Sequence, residues 1–536
     1  MRGALSAACG GSWLIACSPG APADTTGTPG ATTDPPGTSS SAGTSSGVEP
    51  TSTTTGTTSA TTGTTSITTG TTSASASPTT GAPPLTTDGG TTGGTGSTGP
   101  DTTTGDAAGT STGAAGPALH IEPADAQLEI ASGWSFPTQF TAVLGDAPVP
   151  ALWSVDDPSL GRITRHGGSF SARNTAAGQV QISAEYDGQT ATAALELVLV
   201  DDHPVCPPRP PLTDGELAPG AFVRVVAPEY AGTGVYHGVY LPPDWTPGRR
   251  YPVIVESPCN KYGTFTGKVD DTRLGYHIAG CRSYIYIVVP YIKAKANLDY
   301  GWGELDTNLA YWQLNVRRTL EAVGGDPGAV IVGGFSRGAI GAGYVALQDD
   351  VIADAWLGFF LHSHADVVSN LTPDGGAGSA TRMARTAGRA SLLSWGAAND
   401  GGSGNSLKGV ELLTSFGYPV QTLAVPDVGH TDVWSIDDEA SRAIAQSWLF
   451  ATVAARTGTG AVHGRVTDAQ ALGVPGVRVE AGPAHFATTD AAGHYALRGL
   501  LHGPRTVACQ DPACSGPQMV VVADADLDDV DFTIAP

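Results

Sequence analysis

Residues 329–347 constrain this chain more than any other stretch. An apolar run rich in Val330, Ile331 and Val332 leads into Gly334-Phe335-Ser336-Arg337-Gly338, and a small-residue segment, 339–347, follows. The pattern predicts a buried strand, a tight turn and a helix. Such a turn forces Ser336 into a strained backbone conformation. Side chains at 334 and 338 would collide with the neighbouring strand and helix. The Ser336 Oγ is then carried at the top of a sheet, beside a helix N-terminus whose dipole favours negative charge.

The flanking sequence has the periodicity of an α/β unit over residues 201–456. Residues 222–226 and 238–241 read as an antiparallel opening pair, and 251–256 and 284–289 as buried strands. Residues 308–322 read as a helix, with Leu309, Trp312, Val316 and Leu320 on one face. Strands at 355–361, 390–395 and 420–425 and a closing helix at 438–455 complete the series. Alternation of strand and helix predicts a mainly parallel sheet covered on both faces.

Each of the last two strands runs into a turn with a chemical group. Gly396-Ala397-Ala398-Asn399-Asp400 follows the first, and Pro426-Asp427-Val428-Gly429-His430 follows the second. In order and motif the segment resembles the α/β-hydrolase fold, whose members carry serine, then an acid, then histidine. The resemblance implies a catalytic set of Ser336, Asp400 and His430 at carboxyl ends of strands, where open α/β sheets place their sites. A serine hydroxyl needs a base to take its proton, and histidine titrates near neutrality. A carboxylate on the far ring nitrogen fixes the tautomer and stabilises the imidazolium. Asp366 is the main rival for the acid, while Asp427 and Asp432 lie on the loop of His430.

A tetrahedral oxyanion needs two preset donors. The backbone N–H of Arg337 is one. The second falls within residues 257–263, where Pro258 has no N–H, which leaves the backbone of Cys259 or Asn260. Tyr262 offers a hydroxyl instead, as a tyrosine does in prolyl-oligopeptidase-like enzymes. The insert between 362 and 390 is too short for an elaborate lid, so an open cleft is expected. Tyr262 and Trp302 are the candidate substrate contacts, with core packing as the other reading of Trp302. Cys259 belongs at the top of its strand and Cys281 at the bottom of the next, about 17–20 Å apart, too far for a disulfide. A Cys206–Cys281 pairing stays open.

The rest of the chain is accessory. Leu14-Ile15-Ala16-Cys17, after a short positive start, resembles the lipobox of bacterial lipoproteins, which implies a signal over 1–16 and lipidation of Cys17. Residues 17–116 are almost all Thr, Ser, Gly, Ala and Pro, too poor in apolar groups to offset the entropy of ordering. They read as a disordered linker with a coil span of about 55 Å. Alternating strands over 117–200, with Trp153 as a core tryptophan, resemble a bacterial Ig-like sandwich. Residues 457–536 resemble a carboxypeptidase regulatory-like β-sandwich through Asp490-Ala491-Ala492-Gly493-His494-Tyr495. Asp490 and His494 read as turn residues, and Cys509 and Cys514 as a local disulfide.

A net charge of −23 argues against a nucleic-acid partner. The chain has no P-loop, no H-E-x-x-H and no G-x-G-x-x-G strand–helix unit, so neither a nucleotide cofactor nor a metal is expected. The resemblance implies a serine hydrolase cleaving ester bonds, on a substrate carried by polysaccharide or lipid. A prolyl-oligopeptidase-like peptidase is the alternative, and a non-catalytic adhesion or carbohydrate-binding protein is the reading from another class. The lipobox implies a membrane anchor at the bacterial cell envelope, outer membrane or cell surface, with secretion as the alternative.

Overall fold

The computed structural model describes residues 116–200 and 202–536. The signal, Cys17 and nearly all of the linker lie outside the described residues. Among the described residues no helix is long and apolar enough to cross a membrane.

A nine-stranded sheet forms the centre. Its strands are β1 (Leu212–Thr213), β2 (Phe222–Val225), β3 (His237–Tyr240), β4 (Tyr251–Ser257), β5 (Ile285–Val288), β6 (Gly325–Phe335), β7 (Gly358–His362), β8 (Ser391–Gly396) and β9 (Val420–Val425). The spatial order is β1-β2-β3-β5-β4-β6-β7-β8-β9. Only β3 runs against the rest. The central strands are buried on both faces. Val253 and Val255 of β4 join one core with Ile285, Val330 and Trp312, while Ile254 joins the other with Tyr286, Ile331 and Trp448. Burial on both sides is why these strands read as continuous apolar runs rather than alternations.

The helices are α1 (Leu305–Val323), α2 (Arg337–Tyr344), α3 (Ser379–Ala384), α4 (Ser403–Ser415) and α5 (Glu439–Ala455), with shorter turns between them. Helix α1 begins three residues before the expected start, with the half-buried Leu305 packed against the core one turn before Leu309; Gly324 ends it in the left-handed region at φ 75°. Helix α2 starts at 337 rather than 339, directly after the serine turn. The strand expected from 355 begins at Gly358.

Residues 119–200 form two three-stranded sheets and one of four strands around Phe140, Trp153, Ile182 and Leu195. Residues 459–533 form sheets of three and four strands around Val466, Val479, Leu497 and Phe532, and Cys509 and Cys514 are joined by a disulfide. Cys206, Cys259 and Cys281 are free. Both β-rich regions are tied to the central unit. Tyr284 Oη donates to Ser132 O at 2.8 Å, and the Arg505 guanidinium forks onto Asp354 at 2.7 and 2.8 Å.

Candidate active site

The turn after β6 is as tight as its small residues predict. Ser336 has φ 57° and ψ −118°, and its N–H donates to His362 O at 2.9 Å. A Cβ on Gly338 would stand 2.2 Å from Ser257 O, and one on Gly341 1.9 Å from Tyr291 Oη. Helix α2 can approach the end of β4 only because these positions carry no side chain.

Four neighbouring strand ends, β6 to β9, supply Ser336, His364, Asp400 and His430. The Ser336 Oγ lies 2.9 Å from His430 Nε2, and His430 Nδ1 lies 2.8 Å from Asp400 Oδ1. Asp400 is inaccessible, whereas the His430 side chain keeps 23% of its exposure and opens to solvent. Burial opposes ionisation of Asp400. Hydrogen bonds from His430, Ser363 Oγ and the N–H groups of Gly402 and Gly396 outweigh it and hold the carboxyl well below its ordinary range.

The rival acids are engaged elsewhere. Asp366 is fully buried and receives Arg382 Nε at 2.6 Å and Ser379 Oγ at 2.6 Å, which fastens helix α3. Asp432 receives Arg273 at 3.1 Å. Asp427 is exposed in the turn after β9.

In the segment after β4, the N–H groups of Lys261 and Tyr262 are taken by Asp299 O and Phe265 O. Those of Cys259 and Asn260 have no acceptor among the described residues. The Arg337 N–H is the first of helix α2 and has no intrahelical partner. Tyr262 is 68% exposed and stands edge-on to the His430 ring at 6.3 Å. Trp302 is half-buried, packed between Tyr291 and Tyr344 at 5.4 and 4.8 Å, and its indole N–H donates to Leu371 O.

Three features are absent from the sequence reading. The Arg337 side chain is buried and donates to the carbonyls of Pro258, Cys259, Gly267, Leu298 and Gly301, joining two loops under the site. Ser363, at φ 66°, bonds Asp400. The His364 ring lies edge-on to His430 at 5.2 Å, and burial, with His430 nearby, pushes it down to about 4, so it is neutral. The place of residues 362–364 at the end of β7, next to β6 and Ser336, was the signal available for them.

No family model matches this chain, and no curated protein matches it. Among solved structures, it is similar to a ferulic acid esterase at 14% identity, over 40% of this chain and 92% of that one, with a TM-score of 0.30. An acetyl ester-xyloside bifunctional hydrolase from Caldicellulosiruptor lactoaceticus has 13% identity over 44% of this chain and 97% of its own, with a TM-score of 0.32. A putative dipeptidyl aminopeptidase IV from Bacteroides ovatus has 12% identity over 59% of this chain and 46% of its own, also at 0.32. Likeness at this level says nothing of activity, and the chemistry is read from the chain's own residues.

Proposed function

We propose that this chain is a serine hydrolase of the α/β-hydrolase type that cleaves carboxylic esters through an acyl-enzyme. The observation that carries the reading is the line of two hydrogen bonds, Ser336 to His430 to Asp400, with the carboxylate buried and the imidazole open to the cleft. The Ser336 hydroxyl attacks the ester carbonyl as His430 Nε2 takes its proton. Asp400 holds the Nδ1–H and balances the imidazolium. The oxyanion is received by the N–H of Arg337 and by that of Cys259 or Asn260. His430 returns the proton to the departing alcohol, and water then attacks the acyl-serine with the same base.

The ester preference rests on the short insert after β7 and on the exposed Tyr262 beside His430. Within the same reading, the 117–200 and 457–536 regions serve as accessory β-modules. Residues 1–116 are proposed to export the chain and anchor it at the bacterial envelope through Cys17; the Cys509–Cys514 disulfide fits an oxidising compartment.

A fluorophosphonate probe tests the chemistry. Wild type should be labelled on Ser336, and Ser336→Ala should not. An unlabelled wild type removes the enzymatic reading. Turnover of a proline-containing peptide with no turnover of acetyl, long-chain acyl or feruloyl esters would replace esterase with peptidase.

A further inference from the structure

A cavity of about 900 Å³ opens at the end of β6 away from Ser336. One wall comes from residues 134–137 and 162–174, a second from 248–250 and 326–327, and a third from 463–498 and 528–531. Asp326 and Ser336 lie at opposite ends of β6, so roughly 30 Å separates the cavity from the nucleophile. Its size is in the upper part of the ~300–1,000 Å³ range of ligand pockets.

The distribution of arginine partners singles this cavity out. Nine arginines among the described residues have no carboxylate within 4 Å: Arg165, Arg209, Arg249, Arg250, Arg337, Arg389, Arg442, Arg465 and Arg498. Four of them, Arg209, Arg337, Arg389 and Arg442, each donate to two or more backbone carbonyls. The other five all line this cavity. Arg250 and Arg465 each give one bond to a carbonyl, and Arg165, Arg249 and Arg498 give none among the described residues. No carboxylate on the same walls pairs with them directly, although Asp326 attracts Arg498 and Arg250 at longer range. Asp326 is bonded to Arg456 and Asp528 to Arg162, Asp490 and Asp531 accept backbone N–H groups, and Asp529 has no ion pair or side-chain hydrogen bond among the described residues. In a chain of net charge −23, five guanidinium groups with no carboxylate within 4 Å line one space.

The remaining wall chemistry narrows the ligand. The aromatic faces are occupied by guanidinium groups: Arg249 over Phe136 at 4.6 Å, Arg478 over Phe486 at 4.3 Å, and Arg456 over Trp134 at 5.6 Å. Of the other rings on the walls, His166 stays exposed and is stacked on His494 at 5.9 Å. Ser135, Thr164, Ser169 and Asn174 add hydroxyl and amide groups that match sugar hydroxyls. Guanidinium forks suit carboxylate and sulfate geometry. A long polyanion would be repelled by the chain's net charge, so a short one fits better.

We propose that this cavity binds a short oligosaccharide bearing carboxylate or sulfate groups, with Arg498 and Arg165 as its principal charge contacts. The site would hold an acidic glycan at a place remote from the chemistry, whether or not Ser336 acts on esters.

The test is calorimetric titration of the full chain with a trigalacturonate, a sulfated oligosaccharide, an uncharged oligosaccharide of the same length, and inorganic sulfate. One of the two charged saccharides should bind in a salt-sensitive way, with the uncharged one silent and sulfate alone far weaker. Arg498→Gln and Arg165→Gln should each weaken binding about tenfold, with turnover of a small ester unchanged. Arg165 is exposed, so its variant keeps the test decisive if Arg498→Gln misfolds. The proposal is overturned if neither charged saccharide binds, if the uncharged one binds as well, if sulfate alone binds as tightly, or if the variants bind like wild type.

Discussion

The Ser363 hydroxyl donates to Asp400 Oδ2 at 2.6 Å, while His430 engages the other oxygen, Oδ1, at 2.8 Å. Ser363 is therefore a partner of the acid and reaches the chemistry only through it. Its hydrogen bond favours the ionised carboxylate, so Asp400 contributes stability that is present above the ordinary carboxylate range and lost as pH falls toward the depressed value. Ser363→Ala should cost about 1–3 kcal/mol at pH 7, and less at pH 3. Urea unfolding at the two pH values measures the difference; an equal loss at both would mean that Ser363 acts through packing alone.

Asp400 and Asp366 are both buried, yet only one faces His430. Asp400→Asn leaves the shape but offers an amide where an acceptor is needed, favouring the wrong tautomer of His430. Activity should fall by about 10⁴-fold. Asp366→Asn breaks the fork with Arg382 and should destabilise by about 3–5 kcal/mol, with kcat of the folded fraction within a few-fold of wild type. Ester hydrolysis normalised to folded protein separates the two. A collapse of kcat in Asp366→Asn with Asp400→Asn active would exchange their roles.

The contrast between these two acids explains what was legible in the sequence. Ser336, Asp400 and His430 each follow an apolar strand run, and a parallel sheet brings the carboxyl ends of its strands to one rim, so order along the chain sufficed to place them together. The fold class was legible for the same reason, since Val253, Val255, Ile331 and their neighbours have nowhere to go but between two helical layers. Ser363 and His364 were not legible in this way. Their roles depend on how the turn after β7 lies against those after β8 and β9, and no periodicity encodes that. The Arg337 side chain was also missed, because a lone arginine in a motif reads as solvated until five carbonyls are found around it. The start of α2 moved by two residues because Arg337 and Gly338 carry no apolar signal, whereas the three residues gained by α1 include Leu305, which extends the Leu309 face by one turn.

Tyr262 offers a clean choice between two oxyanion arrangements. Its ring is 68% exposed, while the N–H groups of Cys259 and Asn260 lack acceptors. Tyr262→Phe should therefore change kcat less than about threefold, where loss of a true oxyanion donor costs about 10²–10³-fold. Steady-state kinetics on a small ester decides it, and a hundredfold fall would give the hydroxyl the donor's role.

Glu256 introduces a pH dependence of the opposite sign to Asp400. It is buried on β4, and burial pushes it up to about 8 against hydrogen bonds from Tyr286 Oη and Gly275 N. The folded chain thus holds a proton that the unfolded chain has released. Stability from this group is full below the ordinary range of a glutamate and declines as pH rises toward 8. Glu256→Gln mimics the protonated form at all pH values. Between pH 5 and 8 wild type should lose about 2–4 kcal/mol relative to the variant, measured by denaturant unfolding. A difference that stays constant over this range would mean that Glu256 is ionised throughout.

Arg337 joins the Ser336 turn to the loops that bear the proposed oxyanion donors. Its backbone follows Ser336, while its guanidinium gathers carbonyls from residues 258–267 and 298–301 and lies 4.4 Å over the Tyr291 ring. A lysine cannot reproduce the fork, because its single ammonium reaches fewer of these oxygens at once. Arg337→Lys should therefore cost at least about 2–3 kcal/mol, since buried carbonyls lose charged donors. Misplacing the Cys259–Asn260 segment should also lower kcat about 10–100-fold, as a shift near 1 Å costs on that order. KM should move little, because the lost contacts strengthen only as the oxyanion forms. Single-turnover acylation of the folded variant distinguishes this from simple instability: a normal acylation rate in a destabilised protein would leave Arg337 as a structural tie and nothing more.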